Sequence, residues 1–361
     1  MDKLGLDETV QRVLISTTSR LVGDFASEAI KIDHAWPDVY DNMAMRRFDE
    51  SPVSRNAYVI SFITNPKDPK DVIIPNYGPV GELLCSFMSV LYGKRFDSHG
   101  LIEGSGYFAL PNLTAYSQFV DHRLPFNSHS PRKDSKISLN LKEMVNVVPL
   151  LYSDKGVNKH LTEVFRVASK FYLRALQNFE LDSEIAYLNL ITAAEVVSNY
   201  CKYDVNELID EEFRSILEAI ETNIHDGKRY SKMIKNRLSQ VKKRLVKTIV
   251  ELVDDDFFDG SEAMHPCGML KQGDFEKRVA AAYDLRSKYV HNGSSFGAWI
   301  SLRASTDKHD IQCGRPIIGD KDFEKILYQA PTFLGLERII RYCLLKLLDN
   351  NGVKLSSQTQ K

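Results

Sequence analysis

The stretch FEKRVAAAYDLRSKYVHNG, Phe275–Gly293, predicts a long helix whose apolar face carries one charged residue. At about 100° per residue, Val279 lies about 40° from Phe275 and Ala282 about 20° from it, so these three residues form one face. Arg286 also falls about 20° from Phe275, in the middle of that face. A guanidinium cannot lose its charge, and burying it without a partner costs several kcal/mol. We therefore expect Arg286 to face a carboxylate, an anionic ligand or a wet interface.

The same stretch ends in a helix stop at Asn292-Gly293, where glycine can adopt the left-handed conformation. His291 follows Arg286 by five residues, about 140° around a straight helix, so the two side chains do not converge on one rigid helix. If the last turn of the helix frays, the His291 side chain can change its direction. The helix end favours its protonated form and Arg286 opposes it, which suits general acid–base work. The alternative interpretation of His291 is a simple cap of the helix end.

An earlier helix offers a carboxylate for Arg286. Leu188, Ile191 and Glu195 share one stripe of that helix, so Glu195 points where an apolar residue would be expected. We expect an Arg286–Glu195 ion pair in the resting state. The alternative is that this pair is a buried structural ion pair with no further role.

The C-terminal half is predicted to be all-α, because apolar residues recur there every three or four positions and strand patterns are nearly absent. Residues 159–349 form this helical domain, preceded by a linker at 149–158 and followed by a polar tail at 350–361. Apart from the motif helix, the predicted helices span about 161–179, 183–200, 206–223, 229–253 and 333–348.

Residues 1–148 are predicted to form an α+β domain of unknown role, either sensory or regulatory. Residues 10–25 have weak helical periodicity. Residues 58–64 are rich in β-branched and aromatic side chains before Asn65-Pro66, which predicts a strand and a turn. A second short strand is expected at 72–74, and a helix at 81–92.

The stretch AYDLRSKYVHNG, Ala282–Gly293, resembles the R-x(4–6)-H motif of HEPN domains, in the form found in the Apea-like HEPN family. The resemblance covers about 159–349 and includes the early helix that bears Ala194-Glu195. It implies a compact HEPN-type helical bundle that dimerises through the motif helices. Two Arg/His pairs then form one composite cleft, so convergence is achieved across a two-fold axis.

The resemblance also implies an activity. Active members cut RNA without metal or cofactor, by attack of the ribose 2′-OH on the adjacent phosphate. His291 would act as general base or acid, and Arg286 would hold the phosphate. The supporting residues would be Glu195, Ser287, Tyr289 and Asn292. Many active members have Asn, Asp or His directly after the arginine, whereas Ser287 can donate a hydrogen bond to phosphate but cannot serve as a base.

Two function classes follow from this resemblance. The first is a metal-independent endoribonuclease that acts as a toxin or anti-phage defence effector, with the N-terminal domain sensing a protein or small-molecule trigger or restraining the nuclease. The second is a non-catalytic HEPN dimer that binds RNA or a partner protein. In a third alternative, the N-terminal domain carries the main ligand site and the helical half is a dimerisation unit.

A basic stretch between residues 228 and 247 contains no acidic residue. Such a surface is typical of RNA contact through phosphates, and the alternative is the solvated back of an amphipathic helix. Its members are Lys228, Arg229, Lys232, Lys235, Arg237, Lys242, Lys243, Arg244 and Lys247.

We expect no metal site. His265, Cys267, His309 and Cys313 could in principle supply four zinc ligands, but their spacing matches no common zinc finger. The acidic cluster at 254–259 is interpreted as a helix cap or stop.

The net charge of −1 does not by itself indicate a nucleic-acid partner. The five cysteines form no CxxC pair, which is typical of a reducing cytoplasm. The N-terminus lacks a signal pattern and no apolar run is long enough to span a bilayer, so we expect a cytoplasmic protein with no membrane partner.

Overall fold

The N-terminal part of the chain is an antiparallel sheet with a helix packed on it. A computed structural model describes residues 8–35, 55–64, 76–151, 158–237, 240–301 and 308–355. In these residues six strands lie in the order β2-β3-β4-β1-β5-β6, and every pair is antiparallel. The strands are β1 (Thr9–Thr17), β2 (Phe25–Ala26), β3 (Ile30–His34), β4 (Asn56–Thr64), β5 (Phe96–Gly104) and β6 (Tyr107–Phe108). Helix α1 (Gly78–Tyr92) packs on β1 and β5.

The strand and the helix predicted at 58–64 and 81–92 are confirmed as β4 and α1. The helix suggested by the weak periodicity at 10–25 is wrong, because β1 occupies residues 9–17. This strand lies inside the sheet, paired with β4 on one side and β5 on the other, and Val13 and Ile15 are fully buried. Pairing with two distant segments outweighs the local pattern. The predicted strand at 72–74 lies outside the described residues.

The rest of the described chain is helical. Its elements are α2 (Lys159–Asn178), α3 (Ser183–Tyr200), α4 (Val205–Leu208), α5 (Glu211–Asn223), α6 (Gly227–Arg237), α7 (Val241–Leu252), α8 (Asp255–Asp259), α9 (Phe275–Asn292), α10 (Gly297–Ile300), α11 (Lys321–Gln329) and α12 (Phe333–Asn350). The α+β part followed by a helical part is therefore confirmed. No helix in the described ranges is long and apolar enough to cross a membrane.

Four of the long predicted helices are confirmed as α2, α3, α9 and α12. The helix predicted at 206–223 is wrong as a single element, because two aspartates each begin a new helix. Asp204 caps α4 in a reciprocal box with Glu207, and Asp210 caps α5 by accepting from the Phe213 N–H. The helix predicted at 229–253 is also two elements, α6 and α7.

Sheet and helices share one hydrophobic core, which runs from Val13 on β1 to Leu355 after α12. Helix α1 packs against α2, which in turn packs against α3. Helix α12 is buried along nearly its whole length and contacts α1, α2, α3 and α7. The linker predicted at 149–158 is described only to residue 151, and Leu150 belongs to the core. The domain boundaries stay a prediction.

Buried ion pairs join α12 to the chain before the helical part. Arg132 donates to both carboxylate oxygens of Glu337 at 2.8 Å, and Arg341 donates to Asp134 at 2.6 Å. The side chains in these two pairs are at most 2 % exposed. Since breaking a buried pair leaves an uncompensated charge, these contacts fix the segment at 132–134 against α12.

Candidate functional site

The motif helix α9 ends where the sequence predicts. Phe275, Val279, Ala282 and Leu285 are buried on its inner face. Gly293 has a φ of 67°, in the left-handed region, and its N–H donates to the Tyr289 carbonyl at 2.9 Å. The predicted glycine stop is therefore confirmed.

Arg286 is half-buried and faces the predicted carboxylate. Its Nη2 lies 3.6 Å from Oε1 of Glu195, and the side chains are 30 % and 18 % exposed. The predicted Arg286–Glu195 pair is confirmed. The distance is that of an ion pair but too long for a hydrogen bond, so the guanidinium is held loosely. Its Cζ also lies 5.7 Å from the centre of the Tyr283 ring, within the range of a cation–π contact.

The charges of Glu195 and Arg286 both affect the pKa of the neighbouring Tyr283 hydroxyl. Burial raises the pKa of its hydroxyl, the carboxylate of Glu195 raises it further, and Arg286 opposes them. A tyrosine hydroxyl with an ordinary or a raised pKa is protonated at neutral pH, so Tyr283 carries its proton there. Its hydroxyl is therefore a hydrogen-bond donor beside the Arg286–Glu195 pair.

His291 lies in the last turn of α9 and is exposed. Its ring makes no hydrogen bond or ion pair with any residue that the structure describes. Helix α9 continues without a break from Arg286 to His291, so the two side chains project about 140° apart. One copy of the chain does not bring them together.

Tyr289 and the chain after the helix stop are fixed by contacts that the sequence did not reveal. The Tyr289 and Phe296 rings meet edge to face at 5.6 Å, and Phe296 meets Tyr187 of α3 at 5.5 Å. Glu184, in the first turn of α3, accepts from the N–H groups of Phe296 and Gly297. The chain after Gly293 thus packs back against α3. The only local sequence signal for this packing is an apolar residue, Phe296, three residues after the glycine stop.

The remaining supporting residues, Ser287 and Asn292, make fewer contacts than Tyr289. Ser287 is half-buried, and its hydroxyl makes no hydrogen bond within the described ranges. Asn292 is exposed at the helix end. Both side chains are therefore available to a ligand that reaches the outer surface of α9.

Three of the basic residues on α7 pair with carboxylates. Lys242 donates to both oxygens of Asp284 on α9 at 2.7 Å. Lys243 lies 2.8 Å from Asp210, and Lys247 lies 2.9 Å from Glu251. Arg244 donates to the side chain of Asn199. This half of the basic stretch is therefore largely compensated.

The basic residues on α6 are less compensated. Lys235 lies 3.8 Å from Glu221, at the limit of an ion pair. Lys228, Arg229 and Lys232 are exposed and have no carboxylate partner in the described part of the chain. The side chain of Arg237 lies outside the described residues. Lys228, Arg229 and Lys232 carry uncompensated positive charge, and RNA contact through the basic stretch stays a prediction.

The four candidate zinc ligands do not form a ligand set. His309 Nδ1 lies 3.6 Å from Cys313 Sγ, and the His265 and His309 rings lie 6.0 Å apart, whereas Cys267 is exposed. Among the residues that the structure describes, no three His, Cys, Asp or Glu side chains are arranged to hold a metal ion. In the acidic cluster, Asp254 instead pairs with Lys346 at 2.7 Å.

Comparison of the chain with models of known protein families, with curated proteins and with solved structures finds no match. The residues of the motif helix and their surroundings are therefore the basis for inferring a function.

Proposed function

We propose that the chain is a metal-independent endoribonuclease of the HEPN type that acts as a homodimer. The observation that carries this proposal is a loosely paired, half-buried Arg286 on the same helix as an exposed His291. Arg286 lies as far as 3.6 Å from its carboxylate, so it can exchange this partner for a phosphate. A phosphate can bind a guanidinium in a bidentate manner.

The reaction would need no metal. The 2′-oxygen of a ribose attacks the adjacent phosphorus while the bond from phosphorus to the 5′-oxygen breaks. A histidine removes the 2′ proton, and a histidine returns a proton to the departing 5′-oxygen. Arg286 stabilises the charge that grows on the non-bridging oxygens. The products are a 2′,3′-cyclic phosphate and a 5′-hydroxyl.

Convergence of Arg286 and His291 requires a second copy of the chain, since one helix points them apart. A two-fold axis beside the end of α9 would bring Arg286 of one copy towards His291 of the other. Exposed apolar residues at this end support the proposal. Val290 is 53 % exposed next to His291, and Leu181 and Ile185 are 72 % and 40 % exposed near the start of α3.

Cleavage of single-stranded RNA in EDTA tests the chemistry. The wild-type protein should cleave, and Arg286→Ala and His291→Ala should each abolish cleavage. Lys277→Ala, which removes an exposed cation from the same helix, should leave cleavage intact. Undiminished cleavage by both motif variants would refute the assignment.

A mixing experiment tests the composite cleft. Arg286→Ala chains and His291→Ala chains, unfolded and refolded together, should regain part of the activity, because a mixed dimer holds one complete Arg/His set. Each variant refolded alone should remain inactive. An absence of recovery, with mixed dimers verified by two affinity tags, would contradict a site shared across the axis.

The second candidate function is a non-catalytic dimer that binds RNA or a partner protein. The observation that favours it is that Arg286 already has a carboxylate partner, while no described residue orients the His291 ring. In this case Lys228, Arg229 and Lys232 would supply the RNA contact. Growth arrest on expression that is relieved by His291→Ala would exclude this function and support an effector that acts as a toxin or in anti-phage defence.

A further inference from the structure

A cavity of about 570 Å³ lies between the sheet and the helical part. Its walls are α1, β5, the segment at 112–118 and the outer face of α2. The volume is in the range of small-molecule sites, roughly 300–1,000 Å³. It lies away from Arg286 and His291, neither of which lines it.

One wall of the cavity carries three cations in a row. Arg166, Lys170 and Arg174 are spaced by four residues along α2, so they share one face and follow each other by about 6 Å along the helix. All three are exposed, and none forms an ion pair with a described carboxylate. The wall therefore presents three uncompensated positive charges.

The carboxylates of the cavity do not cancel this charge. Asp97 accepts from the buried Arg55 and, at 3.2 Å, from Arg95. Its other oxygen accepts from Gln177 at 3.0 Å. Glu82 on α1 is the one further carboxylate in the described lining. Two positive charges thus remain in excess beside α2.

The opposite wall is held rigid and offers polar groups. His99 on β5 has its Nδ1 at 2.7 Å from the Asn112 carbonyl and its Nε2 at 2.7 Å from Ser16 Oγ. Burial lowers the pKa of His99, so the ring is neutral. Nδ1–H then donates to the carbonyl and Nε2 accepts from the hydroxyl. This bridge fixes the segment at 112–118 against the sheet, with Ser98, Asn112 and Gln118 among the lining side chains.

We propose that this cavity binds a small organic anion that carries two or more phosphate groups, held by Arg166, Lys170 and Arg174. Cations one helical turn apart fit an extended polyanion better than a single phosphate. The described lining residues include no Phe, Tyr or Trp, so the remainder of the ligand is held by hydrogen bonds and by Leu83 and Leu173. Because the cations are exposed, binding weakens as salt increases.

Binding of ATP, tripolyphosphate and inorganic phosphate, measured by calorimetry and thermal shift at low salt, tests this site. ATP or tripolyphosphate should bind and raise Tm, and inorganic phosphate should bind more weakly. In Arg166→Gln/Lys170→Gln, loss of two charge-assisted contacts should weaken the affinity by about tenfold or more. Equal affinity for ATP and tripolyphosphate assigns recognition to the phosphates, and tighter binding of ATP assigns part of it to the nucleoside.

The matched control is Lys321→Gln/Lys325→Gln, which removes two exposed cations at the same spacing from α11. It should bind both polyphosphates as the wild type does. The proposal is overturned if neither polyphosphate binds the wild-type chain, or if the control loses as much affinity as the cavity variant. Since all four substituted residues are exposed, circular dichroism should show unchanged folding. The result does not depend on whether the chain cleaves RNA.

Discussion

At the scale of single residues, Arg286 differs from the two buried arginines of α12 that form ion pairs. Arg338 and Arg341 on α12 are at most 1 % exposed and donate to carboxylates at 2.6–3.0 Å. Arg286 is 30 % exposed, and its carboxylate is 3.6 Å away. The first two therefore hold the fold together. Arg286 keeps a guanidinium charged and within reach of solvent, as binding of a phosphate requires.

Glu195→Gln tests this difference. We expect the variant to lose less than about 1 kcal/mol of unfolding free energy, because partly exposed ion pairs contribute little. Asp310→Asn, which breaks the buried pair with Arg338, should cost about 3–5 kcal/mol. Urea denaturation measures both. Equal losses in the two variants would show that Glu195 has a structural role and is not merely a resting partner of Arg286.

At the scale of elements, the end of α9 depends on one backbone conformation. Gly293 has a positive φ, and an added Cβ would meet nothing within 4 Å. The cost of a side chain there is therefore conformational and not steric. Gly293→Ala should lose about 1–2 kcal/mol of unfolding free energy, the usual penalty of the left-handed region. Gly293→Asn should lose less, because asparagine tolerates this conformation.

Gly273→Ala is the matched control for this change. A Cβ added at Gly273 would also meet open space, but the φ of this residue is outside the left-handed region. The substitution should therefore be neutral, or stabilise through the unfolded state. Chemical denaturation compares the three variants. If Gly293→Ala were as stable as Gly273→Ala, the glycine stop would not determine where α9 ends.

Some elements could be predicted from the sequence and others could not. Helices α3 and α9 were predictable because apolar periodicity and the capping residues Asp182 and Gly293 are local features. Strand β1 was not, since its conformation is decided by pairing with β4 and β5. Distance along the chain also hid Asp284 and Asp210, which compensate Lys242 and Lys243.

The candidate site was predictable to a similar degree. The Arg286–Glu195 pair followed from two polar residues on apolar helix faces, a pattern that can be recognised in each helix separately. The cavity beside α2 was not predicted. Its cations at 166, 170 and 174 have a recognisable spacing, but the opposite wall comes from β5 and from the segment at 112–118. A local sequence pattern cannot show that these distant segments lie opposite each other in the fold.

At the scale of the whole molecule, one cluster of buried charges connects the chain before the helical part to α12. Arg132 pairs with Glu262 at 2.9 Å and with Glu337 at 2.8 Å, and Tyr172 of α2 also donates to Glu337. Lys94 is fully buried beside this cluster and donates to the Pro125 carbonyl. Because the sheet and the helices share this cluster and one core, we expect them to unfold in a single transition.

The pH dependence of stability tests the contribution of this cluster. Burial alone would raise the pKa of the Glu262 carboxyl, but the charge and hydrogen bond of Arg132 lower it below its ordinary value of 4.5. A carboxyl with a lowered pKa in the folded state stabilises the fold fully above its unfolded pKa. That stabilisation is lost as the pH falls through the folded pKa. The unfolding free energy should therefore decrease below about pH 4.5.

Glu262→Gln should be less stable than the wild type at pH 7, and the difference should shrink as the pH falls below about 4.5, because the wild-type carboxyl becomes protonated there. Glu276→Gln, which removes an exposed carboxylate from α9, should follow the wild-type curve at every pH. Urea denaturation between pH 3 and 7 measures all three proteins. A constant difference between Glu262→Gln and the wild type across this range would mean that the Arg132–Glu262 charge pair does not stabilise the fold, and that the substituted side chain only packs less well.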